Sequence, residues 1–371
     1  MWAMNNENFK PAGKLRYGWT TGACATAASK AAVQALLGGS FENLVTIHLP
    51  GGENSVFSLS SQSRTDGVAV AGVIKDAGDD PDVTHGAEII VTARPGKVGA
   101  GITFRAGEGV GTVTLPGLPV GVGEPAINPA PRKMISQAIQ SVAKAQGRAA
   151  NFEITISIAG GERLAEKTMN GRLGIKGGLS VLGTTGIVKP YSCSAWIHTI
   201  QSGVDVARAG GLTHIAAATG KTSEKAVQEL YGLREMALID MGDFAGGLLK
   251  YLRRHPLENL TLAGGFAKLT KMAQGHMDLH SSRSELDFND LVESLRELGA
   301  SDDALHAAVR AKTAMAVLDI ARDEGLALAN RIAERARLRA VSVLNSGINV
   351  DVCVFDSGGL LVGRAGESPI E

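Results

Sequence analysis

The sequence predicts an α+β part followed by an α/β part built on a mostly parallel sheet, with C-terminal helices and a closing hairpin. Three observations carry this prediction. A chain of 371 residues is too long for one ordinary core. Between residues 44 and 105, short apolar runs are separated by Gly, Asp and Pro turns, with no long helical period. From residue 214 onward, strand-like and helix-like runs alternate.

In chain order, Thr20 reads as the N-cap of a helix reaching Leu37, with Gly38-Gly39 as its stop. Nearly every residue of that helix is small, so it can approach a sheet or a ligand closely. Strand-like runs follow at Leu44–Leu49, Ser55–Leu59, Val68–Lys75, Glu88–Ala93 and Ile102–Arg105. A helix over Arg132–Gln146 and an alternating strand over Phe152–Ile158 complete the first part, whose sheet should be mixed or antiparallel.

The second part reads as strand His214–Ala218, helix Ser223–Tyr231, strand Ala237–Asp240, helix Gly242–Arg254 and strand Leu260–Ala263. Such alternation argues for a parallel, doubly wound sheet. Helices over Phe288–Leu298 and Asp303–Arg337, the second with room for a break, lead to a hairpin of Val350–Phe355 and Leu360–Gly363. The expected domains are 1–200, α+β with glycine-rich loops, and 201–371, α/β.

Composition narrows the function. Lysine plus arginine and aspartate plus glutamate number 37 each, so the net charge is zero. Aromatics are 4%. A nucleic-acid partner usually demands a basic excess and stacking rings, so none is expected. Residues 1–14 hold no apolar signal core, and no run approaches the ~18 apolar residues of a membrane span. The three cysteines are scattered, which argues against disulfides and CxxC zinc sites and for a reducing cytoplasm. Glycine, 47 of 371 residues, stands well above the usual ~7%, as expected where backbone approaches a ligand.

Common cofactor fingerprints are missing. A Walker loop ending at Gly220-Lys221-Thr222 would need glycine where Ile215 stands, and the one GxGxxA match, Gly121–Ala126, runs into prolines. Neither HExxH nor GxSxG occurs.

Several loops carry chemistry instead. Asp79-Asp80-Pro81-Asp82-Val83-Thr84-His85-Gly86 crowds three carboxylates beside a histidine, as a solvated turn or as a polar clamp and base. The rigid run from Gly121 to Arg132 fixes Glu124, Asn128 and Arg132, as a site wall or as a plain connection. Gly171–Gly178 and Gly183-Thr184-Thr185-Gly186 offer backbone amides, hydroxyls, Arg172 and Lys176 to an anion, or serve as tight turns. Gly242 and the pair Gly264-Gly265 follow strands that end where α/β sheets bind ligands. His276 and His280, four apart, would share a helix face, but no third ligand matches and no protein-bound metal is inferred.

Six ordered segments, LRYGWTTGACATAASKAA, DAGDDPDVTHGA, GEPAINPAPRKMI, GRLGIKGGLSVLGTTGIVKP, MGDFAGGLLKYLRRHP and GGFAKLTKMAQGHMDLH, resemble the motifs of the cobalt-precorrin-5B (C1)-methyltransferases. The resemblance runs from Leu15 past His280 and more faintly to the C-terminus. Trp19, where the family has tyrosine, and Ala23, where threonine is commoner, depart from the first motif.

The resemblance implies a Rossmann-like second part and S-adenosylmethionine-dependent methylation of C1 of a cobalt-containing macrocycle in anaerobic cobalamin synthesis. Chemistry placed on the matching positions gives Thr20, Thr21, Glu124, Asn128, Arg132, Arg172 and Lys176 to the carboxylate-rich substrate. It gives Asp82 and His85 to proton management. For S-adenosylmethionine the choice lies between Asp240 with Gly242, Gly264 and Gly265, and Thr184 with Thr185. The rival readings are a non-catalytic tetrapyrrole carrier and a nucleotide-dependent oxidoreductase. The sequence also admits a homo-oligomer.

Overall fold

The computed structural model describes residues 13–345 and 347–367. The polar N-terminal stretch read above therefore lies, up to residue 12, outside the described residues. Two compact units divide the chain, Met1–Cys193 and Ser194–Glu371.

The first unit begins with a two-residue strand β1 (Gly18–Trp19) and helix α1 (Thr21–Leu36). Strands β2 (Leu44–His48), β3 (Asn54–Ser58), β4 (Ser61–Thr65), β5 (Val68–Ile74), β6 (Glu88–Pro95), β7 (Ile102–Ala106) and β8 (Thr112–Val113) follow. Then come α2 (Pro129–Ala145), β9 (Phe152–Ile158), α3 (Gly161–Ala165), β10 (Ile175–Lys176) and β11 (Ile187–Val188). The main sheet has the order β4-β5-β6-β9-β7, antiparallel throughout except for the parallel pair β7 and β9.

Alternation fixes which face is buried. Ala69, Ala71 and Val73 of β5, Ile89, Val91 and Ala93 of β6, and Ile154, Ile156 and Ile158 of β9 all point inward. Against them lies α1, buried along almost its whole length, because its alanines, Cys24 and Thr26 let the helix settle close to the sheet. The polar strand β4 is exposed at every position, so no hydrophobic period announces it in the sequence.

In the second unit, α4 (Cys193–Ala209), β12 (His214–Ala218), α5 (Lys221–Tyr231), β13 (Leu238–Asp240), α6 (Ala245–Leu252), β14 (Asn259–Gly265) and α7 (Phe266–Ala273) lead to four further helices. These are α8 (Phe288–Glu297), α9 (Asp302–Arg310), α10 (Ala314–Asp323) and α11 (Leu328–Leu344), followed by β15 (Asn349–Phe355) and β16 (Leu361–Ala365). The sheet order is β13-β12-β14-β15-β16, parallel through β15 and antiparallel at the closing hairpin, so this sheet too is mixed. Val227 and Tyr231 of α5 pack on one face, and α6, α7 and α11 pack on the other.

Three expectations are corrected. The helix expected over Gly242–Arg254 starts later, at Ala245, because Gly242 takes a left-handed φ of +51°. The helix expected over Asp303–Arg337 is three helices. Thr313 caps α10 by accepting the Ala316 amide at 3.2 Å, and Gly325, at φ +67°, ends it. Residues 276–280 are not helical, so His276 and His280 share no helix face.

A buried polar knot ties the second sheet to α5. Asp351 is 2% exposed and accepts from Tyr231 Oη at 2.5 Å and Arg364 Nε at 3.0 Å. The Arg364 guanidinium also lies over the Tyr231 ring, 5.6 Å from its centroid. Arg364→Met should cost about 2 kcal/mol, since it removes a charged partner of a buried carboxylate. Urea unfolding checks this; an unchanged midpoint would mean that the donors on Oδ2, Tyr231 with Thr261 and Cys353, satisfy Asp351 without Arg364.

Candidate functional site

The start of α1 organises the first unit. Thr20 caps it, its hydroxyl accepting the Ala23 amide at 3.2 Å. The Gly22 amide, one of the helix's orphan donors, reaches Leu182 O at 3.0 Å, and the Thr20 amide reaches Gly186 O at 3.0 Å. Gly183, at φ +127°, lies so close that an added Cβ would sit 2.3 Å from Thr20 Cβ. A Cβ on Gly22 would meet Pro131 of α2 at 2.8 Å. Asn128 caps α2 with its backbone and receives no side-chain cap bond, while its amide donates to Val181 O at 3.0 Å. Thr20, Thr21, Asn128, Thr184 and Thr185 are thus drawn to the joint between the two helix starts and the 181–188 segment. Thr21 is 4% exposed, and its hydroxyl makes no hydrogen bond among the described residues. Trp19, the departure from the family pattern, packs on Phe57 with ring centroids 5.2 Å apart.

The acidic loop joins the same cluster. The Trp19 amide donates to Asp76 O at 2.7 Å, and the Asp79 amide donates to Arg16 O at 3.0 Å. Lys75, 1% exposed, reaches Asp82 Oδ2 at 2.6 Å, and Thr84 donates its amide (2.8 Å) and hydroxyl (2.6 Å) to Asp82 Oδ1. Against the opposing effect of burial, these donors hold the Asp82 carboxyl below the usual range. With both oxygens engaged, Asp82 is a poor proton acceptor and a good counter-ion for Lys75.

Asp80 differs. Oδ1 accepts the Tyr191 amide at 2.9 Å, while burial first, and the charge of Asp82, push its carboxyl up. Asp76 is paired with Arg16, whose hydrogen bond holds its carboxyl at about 2. The His85 ring is half exposed; Nδ1 accepts the Ala77 amide at 3.1 Å. Burial pushes the Cys24 thiol up to about 12, so it is no nucleophile.

Lys75 and Asp80 are the residues that sequence reasoning passed over. A lysine at a strand end reads as solvent-exposed, and only the folding back of residues 80–86 buries it. The crowding of like charges in the acidic run was the available signal for Asp80.

Other expected substrate residues have local tasks. Arg132 donates from Nε to Ile127 O at 2.8 Å and from Nη2 to Pro125 O at 3.1 Å, and it pairs with Glu124 Oε2 at 2.8 Å. It clamps the loop that carries Asn128, and its guanidinium lies over Phe104. Lys176 is exposed on β10, opposite Thr112, and Arg172 lies in the turn before it.

In the second unit, the chain steps from β12 to β13 on one side and to β14 on the other. The strand order therefore reverses at the carboxyl ends of β12 and β14, where open α/β sheets bind ligands. The Thr219 amide donates to Ala263 O at 2.9 Å, and a Cβ on Gly264 would meet Thr219 Oγ1 at 2.9 Å. Gly220 and Gly265 open onto free space. Asp240, in register with Ala218, gives its carbonyl to Trp196 Nε1 at 3.1 Å, and Gly242 lies against the same indole. Asp243 pairs with Lys268 of α7.

Asp240, Gly242, Gly264 and Gly265 therefore belong to the second unit, and Thr184 and Thr185 to the first. His280 Nδ1 lies 2.8 Å from Ser282 Oγ. Among the described residues no three His, Cys, Asp or Glu side chains gather as for a metal. No described helix is long and apolar enough to cross a membrane.

The fold and these clusters define a two-unit α/β protein whose hydroxyl-bearing, glycine-lined helix and strand ends suit a small polar ligand. The family model described as CbiD matches residues 8–190, and that described as CbiD, C-terminal domain, matches residues 278–366. A relative from Paramagnetospirillum magneticum is 58% identical over 352 residues, covering 95% of this chain and 98% of its own. One from Bradyrhizobium is 55% identical (96% and 96%), and one from Agrobacterium fabrum 54% (96% and 94%). All three bear the name cobalt-precorrin-5B C(1)-methyltransferase. The crystal structure of the cobalamin biosynthesis protein (cbiD) from Archaeoglobus fulgidus is 28% identical, covers 73% of this chain and 84% of that one, and superposes with a TM-score of 0.40. The chain belongs to the CbiD family.

Proposed function

We propose that this chain transfers the methyl group of S-adenosylmethionine to C1 of cobalt-precorrin-5B, giving cobalt-precorrin-6A in anaerobic cobalamin synthesis in the cytoplasm. The observation that carries this is family membership over nearly the full length, with relatives named for that reaction. The convergence of four of the six family-like segments around the start of α1 supports it.

Methyl transfer from a sulfonium is an in-line displacement whose main requirement is alignment. The macrocycle's peripheral carboxylates need donors, and the joint between α1 and α2 supplies them. Thr20, Thr21 and Asn128 bind there, with Thr184 and Thr185 beside them rather than at the methyl donor. Arg132 with Glu124 holds the Asn128 loop, while Arg172 and Lys176 serve further carboxylates of the macrocycle. Asp82 acts as the counter-ion of Lys75, and His85 flanks the loop.

We read the second sheet as a Rossmann-like support for S-adenosylmethionine, which supplies an electrophilic methyl on a cationic sulfur. Its ribose hydroxyls suit the Asp240 carboxylate, and Gly242, Gly264 and Gly265 leave room for close approach. The fit rests on the free space at Gly220 and Gly265.

Anaerobic incubation with cobalt-precorrin-5B and methyl-labelled S-adenosylmethionine tests the reading. Mass spectrometry should find a product one labelled methyl heavier, with S-adenosylhomocysteine released. Tight binding of the macrocycle without label transfer, in an assay with a working positive control, would make the chain a carrier instead.

A further inference from the structure

In the second unit one buried cation is short of partners. Lys271 of α7 is 9% exposed. A lysine ammonium carries three donors, and among the described residues its Nζ makes one hydrogen bond, to Leu279 O at 3.3 Å. The one acid that acts on its charge, Asp243, is already paired with Lys268.

The neighbours leave the cluster lopsided. Lys268 Nζ also reaches Leu279 O, at 3.4 Å, so two ammonium groups share one carbonyl and one carboxylate. Burial first, and then the charge of Lys268, lower the pKa of Lys271. Asp278, the next acid along the chain from Leu279, is turned to Arg283 Nη1 at 2.7 Å. Asp243 gives Oδ1 to Lys268, and its Oδ2 has no hydrogen bond among the described residues. Unfilled donors thus stand near an unfilled acceptor.

The backbone holds these groups at the end of the sheet where α/β proteins bind ligands. Asp243 lies on the turn that leaves β13 at Asp240, and α7 starts directly after the Gly264-Gly265 pair of β14. The Leu279 amide donates to Asp243 O at 2.9 Å and the Gly246 amide to Met277 O at 2.8 Å, which stitches residues 277–279 to that turn. The Lys268 side chain is 35% exposed and opens the cluster to solvent.

An α-amino acid has the matching pair of groups. We infer that Lys271 and Lys268 hold the α-carboxylate of S-adenosylmethionine, with Asp243 Oδ2 accepting from its α-ammonium group. This rests on the reading of the second sheet as the methyl-donor site. One turn then serves both ends of the donor, the ribose at Asp240 and the amino-acid tail at Asp243. The tail takes no part in the breaking S–C bond, so its grip is the same before and during transfer, and it selects and holds the donor.

The test measures, by calorimetry on the full-length protein, binding of S-adenosylmethionine and of its decarboxylated analogue. The analogue keeps the adenosine, the sulfonium and the amine. Wild type should bind it about 30-fold more weakly, as expected when charge-assisted hydrogen bonds are lost. Lys271→Met keeps the length of the stem and leaves Lys268 on Leu279 O. It should weaken S-adenosylmethionine about 30-fold and leave the analogue within about twofold. In the labelled-methyl assay it should raise KM for the donor and keep kcat within about threefold. A lysine that merely supported the fold would weaken both ligands alike.

If Lys271→Met fails to fold, Lys268→Gln takes its place. Its amide can still donate to Asp243, and it should weaken S-adenosylmethionine alone, about tenfold. A wild type that binds both donors equally overturns the role of the lysines and leaves the methyl-donor reading standing. So does a variant in which both ligands are weakened alike, or neither is. A wild type that binds neither donor overturns the methyl-donor reading and this inference with it.

Discussion

Gly18→Ala is expected to remove about 3 kcal/mol of stability and to slow methyl transfer at least ~100-fold. The added Cβ would sit 2.0 Å from the Ala77 carbonyl carbon and 2.4 Å from the Gly78 nitrogen. Both obstacles are backbone, so no side-chain rotation relieves the clash. β1 must then part from the acidic loop. It would give up the Trp19 amide bond to Asp76 and disturb its pairing with β11 at Gly18 and Val188. Thr20, Thr21 and Asp80 lose their common frame, and displacements near 1 Å are enough to lower rates steeply. Urea unfolding and single-turnover transfer read the two effects separately. A variant with the wild-type midpoint and rate would show that β1 moves aside at little cost.

Lys75→Met should cost about 3–5 kcal/mol near neutral pH, the range expected when one member of a buried ion pair is removed. The pH dependence of this loss is its signature. In the wild type, the folded-state pKa of Asp82 is depressed, so its contribution is present above the unfolded value near ~3.9 and fades as pH falls through the folded value. Without Lys75, burial is opposed only by the Thr84 donors, and the folded-state pKa rises above the unfolded one. The folded variant then binds the proton more tightly, so its stability drops as pH rises. The deficit relative to wild type is therefore largest at neutral pH and shrinks near pH ~4. Equal deficits at both pH values would mean that lost packing of the lysine stem, rather than the uncompensated charge, sets the cost. Adding Asp82→Asn to Lys75→Met should recover part of the loss.

Periodicity in the sequence carried most of the fold. Phe152–Ile158 alternates strictly and is a strand with alternate residues buried, and the small-residue run after Thr20 is the most buried helix of the first unit. What escaped lacks a local signal. β4 is polar at every position, and β1, β8, β10 and β11 are two-residue pairings set by partners far along the chain. α7, only eight residues long, follows directly from the glycine pair that ends β14.

The candidate site divides in the same way. Glycines, threonines and crowded acids mark the loops that meet at α1. Which acid is neutralised and which is not depends on Lys75, Thr84 and Tyr191, whose contacts form only in three dimensions. Arg132 shows the reverse: its charge suggested a ligand, while the carbonyls of Pro125 and Ile127 had already engaged it.

The pairing of Asp80 with the Tyr191 amide also sets when this site comes into being during synthesis. Its segments are supplied in four instalments, at residues 16–24, 75–85, 126–131 and 181–191, and the last closes the ring. A ribosome adding about 5–20 residues per second takes on the order of ten seconds or more to travel from the first instalment to the last. Through that interval the nascent chain carries a helix start with orphan donors and an Asp80 carboxylate still without the Tyr191 amide. A nascent chain stalled before residue 181 would hold the sheet and both helices yet offer no assembled site. Loading with ligand therefore has to wait until the first unit has left the ribosome entire.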